Sequence, residues 1–287
     1  MYNLTAHCSV DNRAYCAVWN EGTRGRSGND LASALVAILE KVIAQNPGVL
    51  KITLWSDACV PQNKNSAMSF AILTFLNSHA NIQKIVQKFG TPGHSPVQEV
   101  DNIHSHIEQR MRKTEVHSPV ALLRLLKQVS TRKPFIVIEM TDGMFFDFQS
   151  KTKTLAFRAV PFSKVCEITY TQSKVVSFRE SFSDTSLVSV TVITSDEIPA
   201  ARSLPYKPQL SGDKAKDMKA MLKFMPNSDN EYYLTLLNMN DAEFETSDAP
   251  DEQRLVDEVP SGPVTRKRAA SSKKTEGAKR KKNVKER

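Results

Sequence analysis

The apolar residues of the first 130 positions switch repeatedly between a period of two and a period of 3.6. That switching restricts the chain to folds in which helices cover a sheet. Tyr2 to Val10 reads as a strand, Asp11-Asn12 as a turn, and Ala14 to Trp19 as the antiparallel return. Asn29 can cap a helix with Leu31, Leu35, Ile38, Leu39 and Val42 on one stripe, stopped by Asn46-Pro47-Gly48. Val49 to Trp55 is almost continuous in large apolar and β-branched residues, which suits a strand buried on both faces. A helix carrying Met68, Ile72, Phe75 and Leu76 follows, then a strand from Ile82 to Phe89. Beyond the turn at 91–96, Val97, Val100, Ile103, Ile107 and Met111 share one helical face. Ser118-Pro119 starts another helix, a cap followed by Pro at the first position, with Leu122, Leu123, Leu126 and Val129 inward.

From Pro134 the pattern shortens. Phe135–Met140, Met144–Phe148, Leu155–Val160, Val165–Thr171, Val175–Phe178 and Leu187–Thr194 all read as short strands. Ser211 and Asp229 then cap two helices that make a hairpin. The expected organisation is an α/β core at 1–130, a β-rich unit at 131–200, a helical hairpin at 201–240 and a disordered acidic linker with a basic tail at 241–287.

Charge supports that last boundary. The formal net charge of +8 is unevenly spread. Residues 264–287 hold 11 basic and 2 acidic side chains, and residues 241–258 hold 8 acidic and 1 basic. Residues 1–258 are therefore nearly neutral as a whole. No apolar run approaches the roughly 18 residues of a membrane span, so no membrane partner is expected. The N-terminal residues lack the charged and apolar regions of a signal peptide. Cys8, Cys16, Cys59 and Cys166 show neither a CxxC pair nor zinc-finger spacing, and a reducing compartment is the default expectation. Neither a Walker loop nor a dinucleotide fingerprint is present, and Gly22, Gly25 and Gly28 beside Arg24 and Arg26 are too sparse for a phosphate cradle.

Two groups could carry chemistry. Asp57 lies just past the end of a strand, where open α/β sheets place their sites. Asp101, His104 and Glu108 form one stripe on the helix that follows residue 97. Phosphodiester cleavage by Mg²⁺ or Mn²⁺ needs carboxylates converging from separate elements, and this set could supply them. It could equally be a strand end and a solvated helix face. Gln62, Asn63, Lys64 and Asn65 are either an ordinary polar turn or the lip of a site that touches nucleic acid. Spacing alone does not decide either question.

The string from Leu54 through Ser56-Asp57-Ala58-Cys59 to Gln62-Asn63-Lys64-Asn65, followed by Gly93-His94-Ser95, Asp101 and Glu108, resembles an uncharacterised transposon-derived family. Its signature is SDxCxxQNKN…GHS…D…IE, and its core looks ribonuclease H-like, of the transposase type. Trp19-Asn20-Glu21-Gly22-Thr23-Arg24-Gly25 resembles a further family segment, and the resemblance extends weakly to Lys214–Lys219 and Tyr232-Tyr233. Ala58 and Pro61 depart from the family pattern. The resemblance implies that Asp57 is the second acid of the site and Asp101 or Glu108 the third, with Mg²⁺ or Mn²⁺ as the metal if the site is active and His104 as a further ligand. The fold so implied opens with a strand bearing the first acid, whereas Tyr2–Val10 matches its second strand. The expected fold is thus a ribonuclease H-like mixed sheet lacking its first strand, with two inner strand edges unpaired. The function implied is a transposase-derived, catalytically incomplete nuclear protein that binds nucleic acid. A metal-dependent nuclease or strand-transfer enzyme using Asp57, Asp101 and Glu108, and a scaffold that recruits other chains, are the alternatives.

The tail is either a solvated, disordered extension with no reader or a targeting signal. Arg266, Lys267 and Arg268, a spacer with Lys273-Lys274, then Lys279, Arg280, Lys281 and Lys282 have the form of a two-part signal for the nuclear import machinery. The same charges would bind nucleic acid in a salt-dependent way.

Overall fold

The computed structural model describes residues 1–90, 98–195, 197–205 and 211–244, with side chains described up to residue 238. Gly93-His94-Ser95 and the basic tail lie outside the described residues.

The chain opens with a hairpin of β1 (Tyr2–Cys8) and β2 (Arg13–Trp19), paired residue for residue from Tyr2–Trp19 to Cys8–Arg13. Asn12 makes the turn with φ 54°, a left-handed conformation that Asn tolerates better than most side chains. Asp11 holds the turn, accepting from the Arg13 amide at 3.0 Å, the Tyr15 hydroxyl at 2.5 Å and the Asn46 side chain at 3.3 Å. Then follow α1 (Gly28–Gln45), β3 (Lys51–Ser56), α2 (Ser66–Ser78), β4 (Lys84–Phe89), α3 (Glu99–Met111) and α4 (Pro119–Gln128). The cap of α1 is Ser27 in a capping box with Asp30, two residues earlier than Asn29. Ser118 caps α4 with Pro119 at its first position, as the sequence predicts.

After α4 come β5 (Ile136–Glu139), β6 (Phe146–Asp147), α5 (Phe148–Thr152), β7 (Glu167–Thr171), β8 (Val175–Arg179), β9 (Val188–Thr191), β10 (Arg202–Ser203), α6 (Gly212–Met221) and α7 (Asn227–Phe244). One sheet runs β1-β2-β5, a second runs β3-β4-β7-β8-β9, and β6 pairs with β10. β5 is parallel to β2, and β3 is parallel to β4; β7, β8 and β9 continue the second sheet antiparallel. This is a mixed α/β fold with seven α-helices among the described residues.

Two apolar cores explain the layering. In the larger, α1 and α2 press Leu31, Ile38, Leu39, Phe70, Ile72 and Leu73 onto Tyr15 and Trp19 of the first sheet and onto Ile85, Phe89, Ile168, Tyr170, Val176 and Phe178 of the second. The smaller core lies on the other face of β2, where Ala14, Cys16 and Val18 meet Ile103 and Ile107 of α3 and Leu126 of α4. β2 is therefore buried on both faces. Tyr170 closes the larger core by donating within reach of Ser69 (2.8 Å) and Gln87 (3.0 Å), so its buried hydroxyl is satisfied.

Three expectations change. The run at Val49–Trp55 does not make a strand buried on both faces. β3 pairs only with β4, so Lys51, Thr53 and Trp55 face solvent while Ile52 and Leu54 are half-buried. Of the strand expected at Met144–Phe148 only the two residues of β6 are extended, between a 3₁₀ segment at Asp142–Met144 and α5 capped by Asp147, and the strand expected at Leu155–Val160 is a 3₁₀ turn at Ala156–Ala159. Phe145, Phe148 and Phe157 anchor these turns in the larger core, and a few apolar residues at short range cannot distinguish that from a strand. The boundary at residue 130 does not divide the sheets, since β5 joins β2 and β7 joins β4. α6 and α7 are present as expected, but Asp229 lies inside the first turn of α7 and accepts from the Ser118 hydroxyl.

Candidate functional site

The loop 56–65 leaves β3 and enters α2, and its side chains mostly serve that passage. Asn65 caps α2 by accepting from the Met68 amide at 2.9 Å. Its amide group donates to the carbonyls of Val60, Pro61 and Gln62 at 3.2–3.3 Å. Asn63 donates to the Asp57 carboxylate at 2.5 Å, and its carbonyl accepts from Gln87 at 2.9 Å. Lys64 turns inward and is 3% exposed. Its ammonium lies 5.3 Å from the Phe89 ring centre, and it donates a long hydrogen bond, 3.4 Å, to the Ser163 carbonyl. Burial pulls its pKa below the ordinary lysine range. Of the QNKN string, then, Lys64 and Asn65 hold the loop shut and Asn63 orients Asp57. Gln62 is half-buried at the loop's rim, and Asp57 is exposed.

The helical stripe is engaged differently. Asp101 closes a capping box at the start of α3, accepting from the Gln98 amide at 2.8 Å. Glu108 lies 3.9 Å from Arg112 on the solvent side, and His104 is exposed. Ile103 and Ile107 seat α3 on the first sheet, whereas Asp57 belongs to the second. Among the described residues no three His, Cys, Asp or Glu side chains come together as a metal site, so Asp57, Asp101, His104 and Glu108 do not converge. Their carboxylate oxygens are the right donors for Mg²⁺ or Mn²⁺, but as placed they form no common site for one ion. Arg24, in the glycine-spaced loop, is also committed: it is buried and donates to the carbonyls of Leu204 (3.0 Å) and Pro205 (2.5 Å).

A different surface stands out beside Asp57. On the face of the second sheet turned away from α2, the register sets Trp55, Lys88, Glu167 and Arg179 in one row across four strands. Lys88 lies 5.3 Å from the Trp55 ring centre and 3.6 Å from Glu167, while Arg179 reaches Glu167 at 2.6 Å. Phe182 stacks obliquely on Trp55 with centroids 6.2 Å apart. Two residues back, Thr53, Val86, Thr169, Ser177 and Ser189 form the next row, and Lys51 and Lys84 sit opposite each other in the row beyond. Sequence reasoning passed over these positions. The alternation Lys51-x-Thr53-x-Trp55 and Lys84-x-Val86-x-Lys88 is the signal that places polar and aromatic groups on one face.

The profile of a domain of unknown function, DUF7869, matches residues 12–182. The chain belongs to the DUF7869 family. The DUF7869 region runs from the β1–β2 turn through β8 to Phe182, so it contains the 56–65 loop and four of the five strands of the second sheet, β9 lying beyond it. No curated protein and no solved structure matches the chain. No helix among the described residues is long and apolar enough to cross a membrane.

Proposed function

We propose that this chain is a transposase-derived nuclear protein that binds nucleic acid and lacks a complete metal-dependent catalytic centre. The charge layout carries the reading: 11 basic and 2 acidic residues at 264–287 follow a stretch of 8 acidic and 1 basic at 241–258. Such a cationic segment releases counterions from a phosphate backbone, so its binding is strong at low salt and falls steeply as salt rises. The same segment, with Arg266, Lys267, Arg268, Lys279, Arg280, Lys281 and Lys282, addresses the chain to the nucleus. The incomplete centre is supported by the engagement of Asp101 at its own helix start and of Glu108 beside Arg112.

The test is a salt series of DNA binding with the full chain and with a chain ending at residue 263. Removing 264–287 abolishes most of the salt-sensitive affinity. Equal salt slopes for the two would refute the reading. Residues 260–287 fused to a fluorescent protein should accumulate in nuclei; an even spread through the cell removes the localisation. Mn²⁺-dependent nicking of DNA that disappears in Asp57→Ala would overturn the incomplete centre.

A further inference from the structure

The structure assigns a second nucleic-acid contact that the tail does not explain: the open face of the β3-β4-β7-β8-β9 sheet is a platform for a single polynucleotide strand. The inference rests on the nucleic-acid reading above for its class of ligand, and on the sheet itself for the site.

Packing comes first. α2 lies on β4 and β7 from the side of the larger core, where Ile52, Leu54, Ile85, Phe89, Ile168, Tyr170, Val176 and Phe178 point. The alternate residues form the opposite face, exposed at Lys51, Thr53, Trp55 and Ser189 but closed over β7, where Glu167 and Thr169 are buried; no helix among the described residues packs extensively on it. An antiparallel-rich sheet with one solvated face is ordinary. The composition of this one is not. Its register rows hold Lys51, Lys84, Lys88 and Arg179 against a single carboxylate, Glu167, which Lys88 and Arg179 already share.

Lys51 and Lys84 are direct cross-strand neighbours. Like charges set side by side repel one another, and neither lysine has a carboxylate partner among the described residues. A phosphate group bound between them would turn that repulsion into attraction. At the other end of the face Trp55 is 55% exposed and Phe182 42% exposed, side by side, with Lys88 against the indole. An exposed aromatic pad flanked by cations is what unpaired bases need, since every base has a π face to stack. Between the two ends runs a band with hydroxyls at Thr53, Ser177 and Ser189. Adjacent rows are two residues apart along each strand, so the lysine pair and the aromatic pad are separated by about 13 Å. Duplex DNA hides its base faces within its stack. The occupant that fits both ends is a single strand, with phosphate at Lys51 and Lys84 and a base on Trp55.

The two tryptophans make the test. Trp19 is 3% exposed and bonded to the Gly25 carbonyl, whereas Trp55 is open; residues 264–287 contain no tryptophan. The full chain is titrated with a short oligo(dT), and with a duplex of the same length, following tryptophan emission at low salt. The single strand quenches emission and the duplex, though held by the tail, does not. Trp55→Ala abolishes the quenching and weakens oligo(dT) binding about tenfold, with the residual Trp19 emission reporting an intact fold. Lys51→Ser with Lys84→Ser lowers the magnitude of the salt slope by about 0.7, the loss of one phosphate contact. Oligo(dT) binding without quenching, or equal quenching by the duplex, overturns the platform while leaving the tail reading in place. No binding by the full chain at low salt removes both.

Discussion

Lys64→Met separates a buried structural lysine from a ligand-binding one. The wild-type ammonium is desolvated, has no carboxylate partner among the described residues, and makes one hydrogen bond, 3.4 Å long, to the Ser163 carbonyl. Its compensation is the Phe89 face at 5.3 Å, an interaction of about 0.5–2 kcal/mol. Withdrawing an ion from water costs several kcal/mol even after relaxation, and apolar replacement of buried ions is neutral to stabilising by roughly 1–4 kcal/mol. Methionine keeps most of the stem's packing and drops the charge. The expected gain is at the low end of that range, about 1 kcal/mol, because the Phe89 contact is lost with the charge. For a unit of this size such a gain raises Tm by about 2–4 °C. The pH dependence fixes the cause. Burial lowers the folded pKa below the ordinary lysine value of 10.5, so the penalty is fully present below that folded value. It fades as pH rises from the folded value through the unfolded one, where the unfolded state binds more protons. The stability gap between variant and wild type should therefore narrow toward alkaline pH in urea melts. A loss of 1 kcal/mol or more at pH 7 would refute the reasoning, since it would mean that the ammonium makes a strong favourable interaction. A large loss of nucleic-acid affinity in a stable Lys64→Met protein would restore Lys64 to the binding lip.

Asp101→Ala removes the acceptor of the Gln98 amide and a charge favourable to the N-terminus of α3, and should cost about 0.5–1 kcal/mol in denaturant melts. Any change of Tm with Mn²⁺ should be the same in that variant as in wild type; a Mn²⁺ response lost with Asp101 would make it a ligand. Asp11 is pushed up by burial, but hydrogen bonds from Tyr15, Asn46 and the Arg13 amide outweigh this and hold its carboxyl below the ordinary 3.8. Its contribution is present above that value and lost as pH falls through the depressed one. Asp11→Asn should therefore flatten the acid side of the stability profile; an unchanged acid limb would show that the carboxylate is not the group involved.

What the sequence makes legible is whatever depends on near neighbours. The β1–β2 hairpin follows from alternation and one turn, and α4 from Ser118-Pro119, because a cap and its helix lie within four residues. The same locality explains the misreadings. The Phe-rich stretch 142–160 carries apolar residues at strand-like spacing, and only the distant core that receives Phe145, Phe148 and Phe157 makes it turn instead. The QNKN string illustrates the point at the site. Its polarity suggests a surface that touches a ligand, yet Lys64 is buried and Asn65 divides its hydrogen bonds between α2 and three loop carbonyls. Polarity there reflects the backbone groups a tight strand-to-helix passage leaves unpaired, which side chains must satisfy. The open sheet face is the converse case. Lys51 and Lys84 are 33 positions apart in the chain and become neighbours only through the β3–β4 register. Neither is unusual alone, and their repulsion exists only in the folded sheet. A feature that costs stability and has no partner within the described residues is better evidence of a ligand than a polar string that bonds itself. On that ground the proposed ligand contact lies with Lys51, Lys84 and Trp55.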